Sequence, residues 1–252
     1  MGGDLDRRVV TGESPNDESP EWRRAWQFIR ARFDPRSHLG LGLTIRLALF
    51  VFAIWAFSGL LDAVLDNRTL VRIDRAVETW FHAHATPAGL KIFDIITQLG
   101  SPVVNVLIGV VAIFLLYKRQ YPLLVTWLAA NLGGKIIEFI IKNSVHRSRP
   151  TFNAEFLRTV SYSFPSGHTM GSTICYLMLA YMIATRPGAS RNVRYVAFAL
   201  AIVVVVAVAF SRLYLQVHYP TDVMGGFAAG FAWLAACGVT RHLFTAGQTF
   251  RS

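Results

Sequence analysis

Three short clusters hold most of the residues in this chain that could do chemistry. They are Lys142-Asn-Ser-Val-His-Arg-Ser-Arg149-Pro150, then Tyr162-Ser-Phe-Pro165-Ser166-Gly167-His168, then Ser211-Arg212 with His218 and Asp222. Lys142, Arg149 and Arg212 supply three fixed cations. Ser166 offers a hydroxyl, and Gly167 lets a backbone N–H approach a ligand at the start of a helix, where unpaired amides and the local dipole favour anions. The set is complementary to a phosphoryl group, whose charge spreads over its equatorial oxygens in the transition state. His218 and Asp222 are four residues apart, with Pro220 between them at a plausible helix start. A carboxylate in that first turn can accept a hydrogen bond from one ring nitrogen and leave the other free to attack phosphorus. His168 comes from a separate segment and could protonate a leaving oxygen. These residues alone leave open which histidine attacks. No grouping of His, Cys, Asp and Glu suggests a metal cage, so side-chain cations are expected to stabilise charge, with no metal and no cofactor.

Each cluster has an ordinary reading when taken singly. A basic loop at a membrane edge is usually a lipid anchor, Pro-Ser-Gly is usually a turn leading into a cap, and a histidine can simply be packed. All three fall on one expected face of the molecule, however, and buried charges need partners. Their coincidence there points to a shared site.

The elements that must position them follow from composition. The 252 residues are 53% hydrophobic and 16% charged, where a soluble domain carries about a quarter charged residues. Six apolar stretches, at about 43–65, 101–117, 121–141, 168–185, 194–212 and 222–240, are each near the ~20 residues that cross a bilayer. The expected fold is therefore all-α, a six-transmembrane helix bundle with short surface helices. Residues 40–242 form the membrane domain, preceded by a polar tail at 1–39 and followed by a short tail at 243–252. Within the first tail, Ser19-Pro20-Glu21 reads as a helix start. Trp22, Trp26, Ile29 and Phe33, interleaved with Arg23, Arg24, Arg30 and Arg32, suit an amphipathic helix in the headgroup layer. Asp4, Asp6, Glu13, Asp17 and Glu18 stand where a cleavable signal would need an apolar run.

The connection at 66–100 has its own pattern. Ile73, Val77, Trp80 and Phe81, then Leu90, Phe93, Ile96 and Leu99, predict two short amphipathic helices split near Pro87 and resting on the membrane surface. Cys175 and Cys237 lie inside apolar segments and read as packing residues. Glu138, one turn from both Lys135 and Lys142, reads as half of a structural ion pair. His146 and Arg147 are expected either at the substrate headgroup or as solvated loop residues, and His82 and His84 at the interface.

Charge sets orientation and partners. The net charge of +10 fits anionic headgroups or a phosphorylated substrate. It does not fit nucleic acid, because a DNA-binding domain would not carry so much apolar sequence. Lys118, Arg119, Arg186, Arg191, Arg194, Arg241 and Arg251 share a side with the arginine-rich N-terminus, which the positive-inside rule makes cytoplasmic. The three clusters fall on the opposite side.

The spacing Lys142-x6-Arg149-Pro150, the tetrapeptide Pro165-Ser166-Gly167-His168 and Ser211-Arg212-x5-His218-x3-Asp222 resemble the three-part signature of the type 2 phosphatidic acid phosphatase superfamily. Every signature position is occupied, and the six-span layout extends the likeness to about 43–240. The resemblance implies a helical bundle and a metal-independent phosphohistidine mechanism. By it His218 is the nucleophile, Asp222 its orienter and His168 the general acid, while Lys142, Arg149, Ser166, Gly167 and Arg212 bind phosphate.

The expected activity is hydrolysis of a lipid phosphate or pyrophosphate at the extracytoplasmic face of a bacterial inner membrane. An isoprenoid carrier such as undecaprenyl pyrophosphate is the favoured substrate, with phosphatidic acid or phosphatidylglycerol phosphate close behind. Three other readings compete. The superfamily includes soluble vanadate-dependent haloperoxidases, which the six apolar spans argue against. Non-catalytic lipid transport would not require His168, His218 and Asp222 together. A lipid phosphotransferase would pass the phosphoryl group to an acceptor other than water. Oligomeric state is not legible.

Overall fold

The computed structural model describes residues 41–66, 68–150 and 161–249, together with Trp22, Arg23, Trp26 and Phe156. Two compact units divide the chain, Met1–Thr44 and Ile45–Ser252. The amphipathic helix expected around 20–33 lies outside the described residues, save that Trp22, Arg23 and Trp26 are helical and exposed.

Among the described residues the regular structure is helical throughout. The helices are α1 (Leu41–Asp66), α2 (Arg68–His84), α3 (Pro87–Thr97), α4 (Pro102–Tyr117), α5 (Tyr121–Val145), α6 (Gly167–Thr185), α7 (Arg191–Tyr214) and α8 (Pro220–Thr249), with a 3-10 turn at Gln98–Gly100. Local chemistry explains several starts. Pro87, Pro102 and Pro122 sit in the first two positions of their helices, where a missing N–H costs nothing. Thr86 caps α3 by accepting from the Gly89 amide at 3.1 Å, and Ser190 caps α7 by accepting from the Val193 amide at 3.3 Å.

Five segments are long and apolar enough to cross a bilayer: Leu41–Asp66, Pro87–Tyr117, Tyr121–Val145, Arg191–Tyr214 and Pro220–Thr240. The chain is an integral membrane protein. Two details differ from the sequence reading. The second apolar segment begins at Pro87, because α3 is itself apolar and runs through the 3-10 turn into α4; α2 is the more polar and more strongly amphipathic of the two expected surface helices. The fourth expected span, 168–185, is helical as α6, but Thr169, Ser172 and Thr173 lower its hydropathy, and it is not among the five.

Those polar residues are tolerated because α6 is the central helix. It packs chiefly against α7 and α8, and then against α5. Thr169, Ser172 and Thr173 are each 0% exposed, so α6 needs little lipid-compatible surface. Its approach to α8 is close: a Cβ on Gly226 would stand 2.8 Å from Ser166 O and 3.0 Å from Thr169 Cβ. Gly230, four residues on, lies equally near Thr173. Small residues at this spacing let helices pack backbone to backbone where lipid gives no hydrophobic drive. Indole donors tie the outer helices on: Trp127 Nε1 donates to Ile108 O at 3.0 Å, and Trp233 Nε1 to Ala130 O at 2.8 Å. The outward faces carry residues such as Trp55, Ile113, Phe139 and Val203, all more than half exposed. In water this would be an aggregation liability; in a bilayer it is the expected coat.

Candidate active site

The N-terminal turns of α6 and α8 and the C-terminal turns of α5 and α7 converge at one end of the bundle. A cavity of about 430 Å³ opens there, within the range of small-molecule sites. Lys142, Arg149, Gly167, His168, Arg212 and His218 line it. Thus six of the eight residues singled out from sequence face one space, although they span 77 positions from Lys142 to His218. The other two stand just behind. Asp222 is fully buried beneath His218. Ser166 is also 0% exposed; its hydroxyl accepts from Thr169 Oγ1 at 3.0 Å, and its amide donates to Asp222 O at 2.9 Å.

The tautomer of His218 follows from its neighbours. Arg149 Nη1 stands 3.0 Å from His218 Nε2. A guanidinium can only donate, so Nε2 is the acceptor and the ring proton sits on Nδ1. Nδ1 in turn lies 3.4 Å from both Asp222 Oδ2 and Ser163 Oγ. The lone pair therefore faces the Arg149 guanidinium at the cavity wall, and the N–H faces the carboxylate. Burial pushes the His218 imidazole well below the usual histidine range, and Arg149, Arg212 and Lys142 push the same way. The ring is neutral at pH 7.

The cations are held by the fold. Arg149 Nε donates to Ser161 O at 2.7 Å, and its Nη2 to Ser161 Oγ at 2.9 Å. Arg212 Nη1 donates to Thr97 Oγ1 at 2.8 Å, so the turn before α4 forms one wall. Lys142 pairs with Glu138 at 2.8 Å, the ion pair expected for that glutamate. The Glu138 carboxylate also lies against the Cα of Gly167, where any Cβ would collide with it. Among the described residues no group of three or more His, Cys, Asp or Glu could hold a metal ion.

Residues 121–245 match the family model described as the PAP2 superfamily. Phosphatidylglycerophosphatase B of Bacillus subtilis (strain 168) is 30% identical over 184 residues, covering 71% of this chain and 88% of its own length. The chain belongs to the PAP2 superfamily. Undecaprenyl-diphosphatase of Sulfolobus acidocaldarius is 27% identical over 157 residues, 60% of this chain and 68% of the relative. The crystal structure of a transmembrane PAP2-type phosphatidylglycerolphosphate phosphatase from Bacillus subtilis superposes with a TM-score of 0.66 at 25% identity, over 76% of this chain and 93% of that one. PAP2 membership and the apolar helices together make this protein a membrane phosphatase.

Three residues of this cluster were not assigned to it from sequence. Ser163 is fully buried and donates to Asp222 Oδ2 through a short contact; only its place two residues before Pro165 hinted at it. Arg147, expected at the headgroup or in solvent, instead turns inward. It donates from Nη1 to Asp222 Oδ1 and from Nη2 to Asp74 Oδ2, both at 2.6 Å. Asp74, on α2, is 1% exposed and accepts from the Thr221 amide at 3.1 Å and the Thr221 hydroxyl at 2.6 Å. The sequence signal for Asp74 was faint: it shares the α2 face of Phe81, seven residues on, and both are buried while Ile73 and Trp80 are exposed. His82 meets Gln216 Oε1 at 3.2 Å and so also faces the protein.

Proposed function

We propose that this chain hydrolyses a lipid phosphate through a phosphohistidine on His218. The observation that carries the reading is a cavity-lining His218 whose Nε2 lone pair meets Arg149 and whose Nδ1 is backed by a buried carboxylate, with three cations lining the same cavity. A phosphate entering the cavity draws the N–H groups of Arg149, Lys142 and Arg212 onto its oxygens and frees Nε2 for phosphorus. The N–P bond forms as the bond from phosphorus to the lipid oxygen breaks, and His168 delivers a proton to that oxygen. Phosphate charge offsets the cost that burial, and then Arg212, His218, Lys142 and Arg149, place on a protonated His168. Water then gives its proton to His168 and attacks phosphorus, and the N–P bond breaks to release inorganic phosphate. The amide end of α6 at Gly167 supports the oxygens throughout.

The substrate reading leans on the relatives. The one covered most fully is named for phosphatidylglycerol phosphate and another for undecaprenyl diphosphate, so phosphatidylglycerol phosphate moves ahead of the isoprenoid carrier favoured from sequence. The loop charges support an extracytoplasmic site in a bacterial inner membrane.

Purified protein in mixed micelles, offered phosphatidylglycerol phosphate, phosphatidic acid and undecaprenyl pyrophosphate in chelator, should release phosphate fastest from the first. Release from none of them, or full activity in His218→Ala, would overturn the proposal.

A further inference from the structure

We propose that Asp74 and Arg147 form, with Asp222, a buried charge relay that positions His218 and sets its basicity, so that the surface helix α2 is part of the catalytic apparatus. The inference rests on the proposed role of His218 as nucleophile.

The geometry is a continuous chain. Asp74 on α2 binds Arg147 in the loop after α5; Arg147 binds Asp222 on α8; Asp222 faces His218 Nδ1. Both carboxylates are essentially inaccessible, at 1% and 0% exposure. Thr221 locks the joint, because its hydroxyl touches both Arg147 and Asp74. Tyr219 covers the guanidinium face at 4.4 Å from its ring centroid. Burial alone would make the guanidinium easier to deprotonate, but Asp222 and Asp74 outweigh that and raise it, so Arg147 is a permanent cation.

The charge count gives the relay its function. Asp74 and Asp222 contribute two negative charges and Arg147 one positive, which leaves one net negative charge behind the ring. When Nε2 bonds to phosphorus and Nδ1 keeps its proton, the ring becomes cationic. A net negative group behind Nδ1 stabilises that state more than the neutral ring. Were Arg147 and Asp222 alone, their charges would cancel. Asp74 therefore supplies the imbalance, while Arg147 fixes the Asp222 carboxylate in place. The other charged groups facing His218 are Lys142 and Glu138 from α5, Arg149 from the following loop, His168 from α6 and Arg212 from α7. None of the three relay variants below alters them.

The test is the acid limb of kcat/KM against pH, measured with short-chain phosphatidic acid in detergent. Asp74→Asn removes a negative charge, makes His218 harder to protonate and should move the limb to lower pH by about half to one unit. Arg147→Met leaves two buried carboxylates without their cation. Either His218 or Asp222 then takes up a proton sooner, and the limb should move to higher pH by a similar, roughly half- to one-unit step. Arg147→Lys keeps the charge and should hold the wild-type limb. In both charge-changing variants kcat should fall about tenfold or more with little change in KM, as expected for loss of an orienting partner. A purely structural role predicts no opposed displacement. Shifts absent or in the same direction, in variants that keep the wild-type elution profile, would overturn the relay. Should Arg147→Met fail to fold, Asp74→Asn decides alone: a limb moved to lower pH beside an unmoved Arg147→Lys supports the relay, and an unmoved or raised limb in Asp74→Asn overturns it. Activity in His218→Ala would instead sink the parent reading. An inactive His218→Ala with unmoved limbs in the relay variants sinks only the relay.

Discussion

His218 is buried at 3% exposure among Arg149, Arg212 and Lys142, so it resists protonation. The sign of the resulting pH dependence follows. A histidine held below its usual value of about 6.5 stays neutral, and hence nucleophilic, through that pH and loses activity only further into acid. The acid limb of kcat/KM should therefore lie clearly below pH ~6.5. An acid limb at or above pH ~6.5 would count against a buried, neutral His218 as the nucleophile. His168 admits a sharper test through the leaving group. His168→Ala should slow release from a lipid alkoxide by about 10²–10⁴-fold, the usual contribution of general acid catalysis. It should cost much less with p-nitrophenyl phosphate, whose leaving group needs no proton. Equal losses on the two substrates would remove His168 from the acid role. Most residues at this scale were legible beforehand, because Lys142, Arg149, His168, Arg212, His218 and Asp222 sit at fixed spacings on helix ends or in the short turns beside them. Ser163, Arg147 and Asp74 were not, because each is defined by a partner 59 to 75 residues away rather than by its neighbours.

At the scale of elements, the placement of the cations depends on how closely α6 approaches α5 and α8. Gly167 begins α6 with the Glu138 carboxylate against its Cα, and Glu138 holds Lys142. A methyl at Gly167 must displace that carboxylate and with it the ammonium. Gly167→Ala should weaken inhibition by inorganic phosphate by roughly tenfold, the loss expected for one charge-assisted hydrogen bond. Unchanged inhibition would mean that Glu138 yields without moving Lys142. The seam between α6 and α8 is equally tight, and Gly226→Val forces side-chain atoms onto Ser166 O and Thr169. Such overpacking costs about 1–3 kcal/mol, which should appear as a lower melting temperature in detergent together with reduced activity, because Ser166 and Asp222 share that seam through a backbone bond. The helix ends themselves were readable, since prolines and Thr86 and Ser190 mark several starts. The role of α2 was not: its periodicity announces an apolar face but says nothing about a buried acid docking at the first turn of α8.

For the whole molecule the open variable is orientation, which charge counting addresses and packing does not. With Cys237 replaced by Ser, a cysteine introduced at Tyr162, beside the cavity, should react in intact cells with a membrane-impermeant thiol reagent. A cysteine at Lys118, on the opposite side in the six-span reading, should react only after permeabilisation. The reverse pattern would place the site on the cytoplasmic face and overturn that part of the proposal.

By itself, the sequence determined that the chain enters a membrane, which segments are apolar enough to do so, and which residues suit phosphate. Those properties are local, carried by hydropathy and by spacing along helix ends. Only the tertiary structure decided that α3 joins α4 in one apolar segment, that α6 can be polar because its neighbours cover it, and that Arg147 turns away from solvent to join Asp74 and Asp222. The physical reason is common to all three. The cost of a polar or charged group is set by what surrounds it, and its surroundings come from segments far away in the chain.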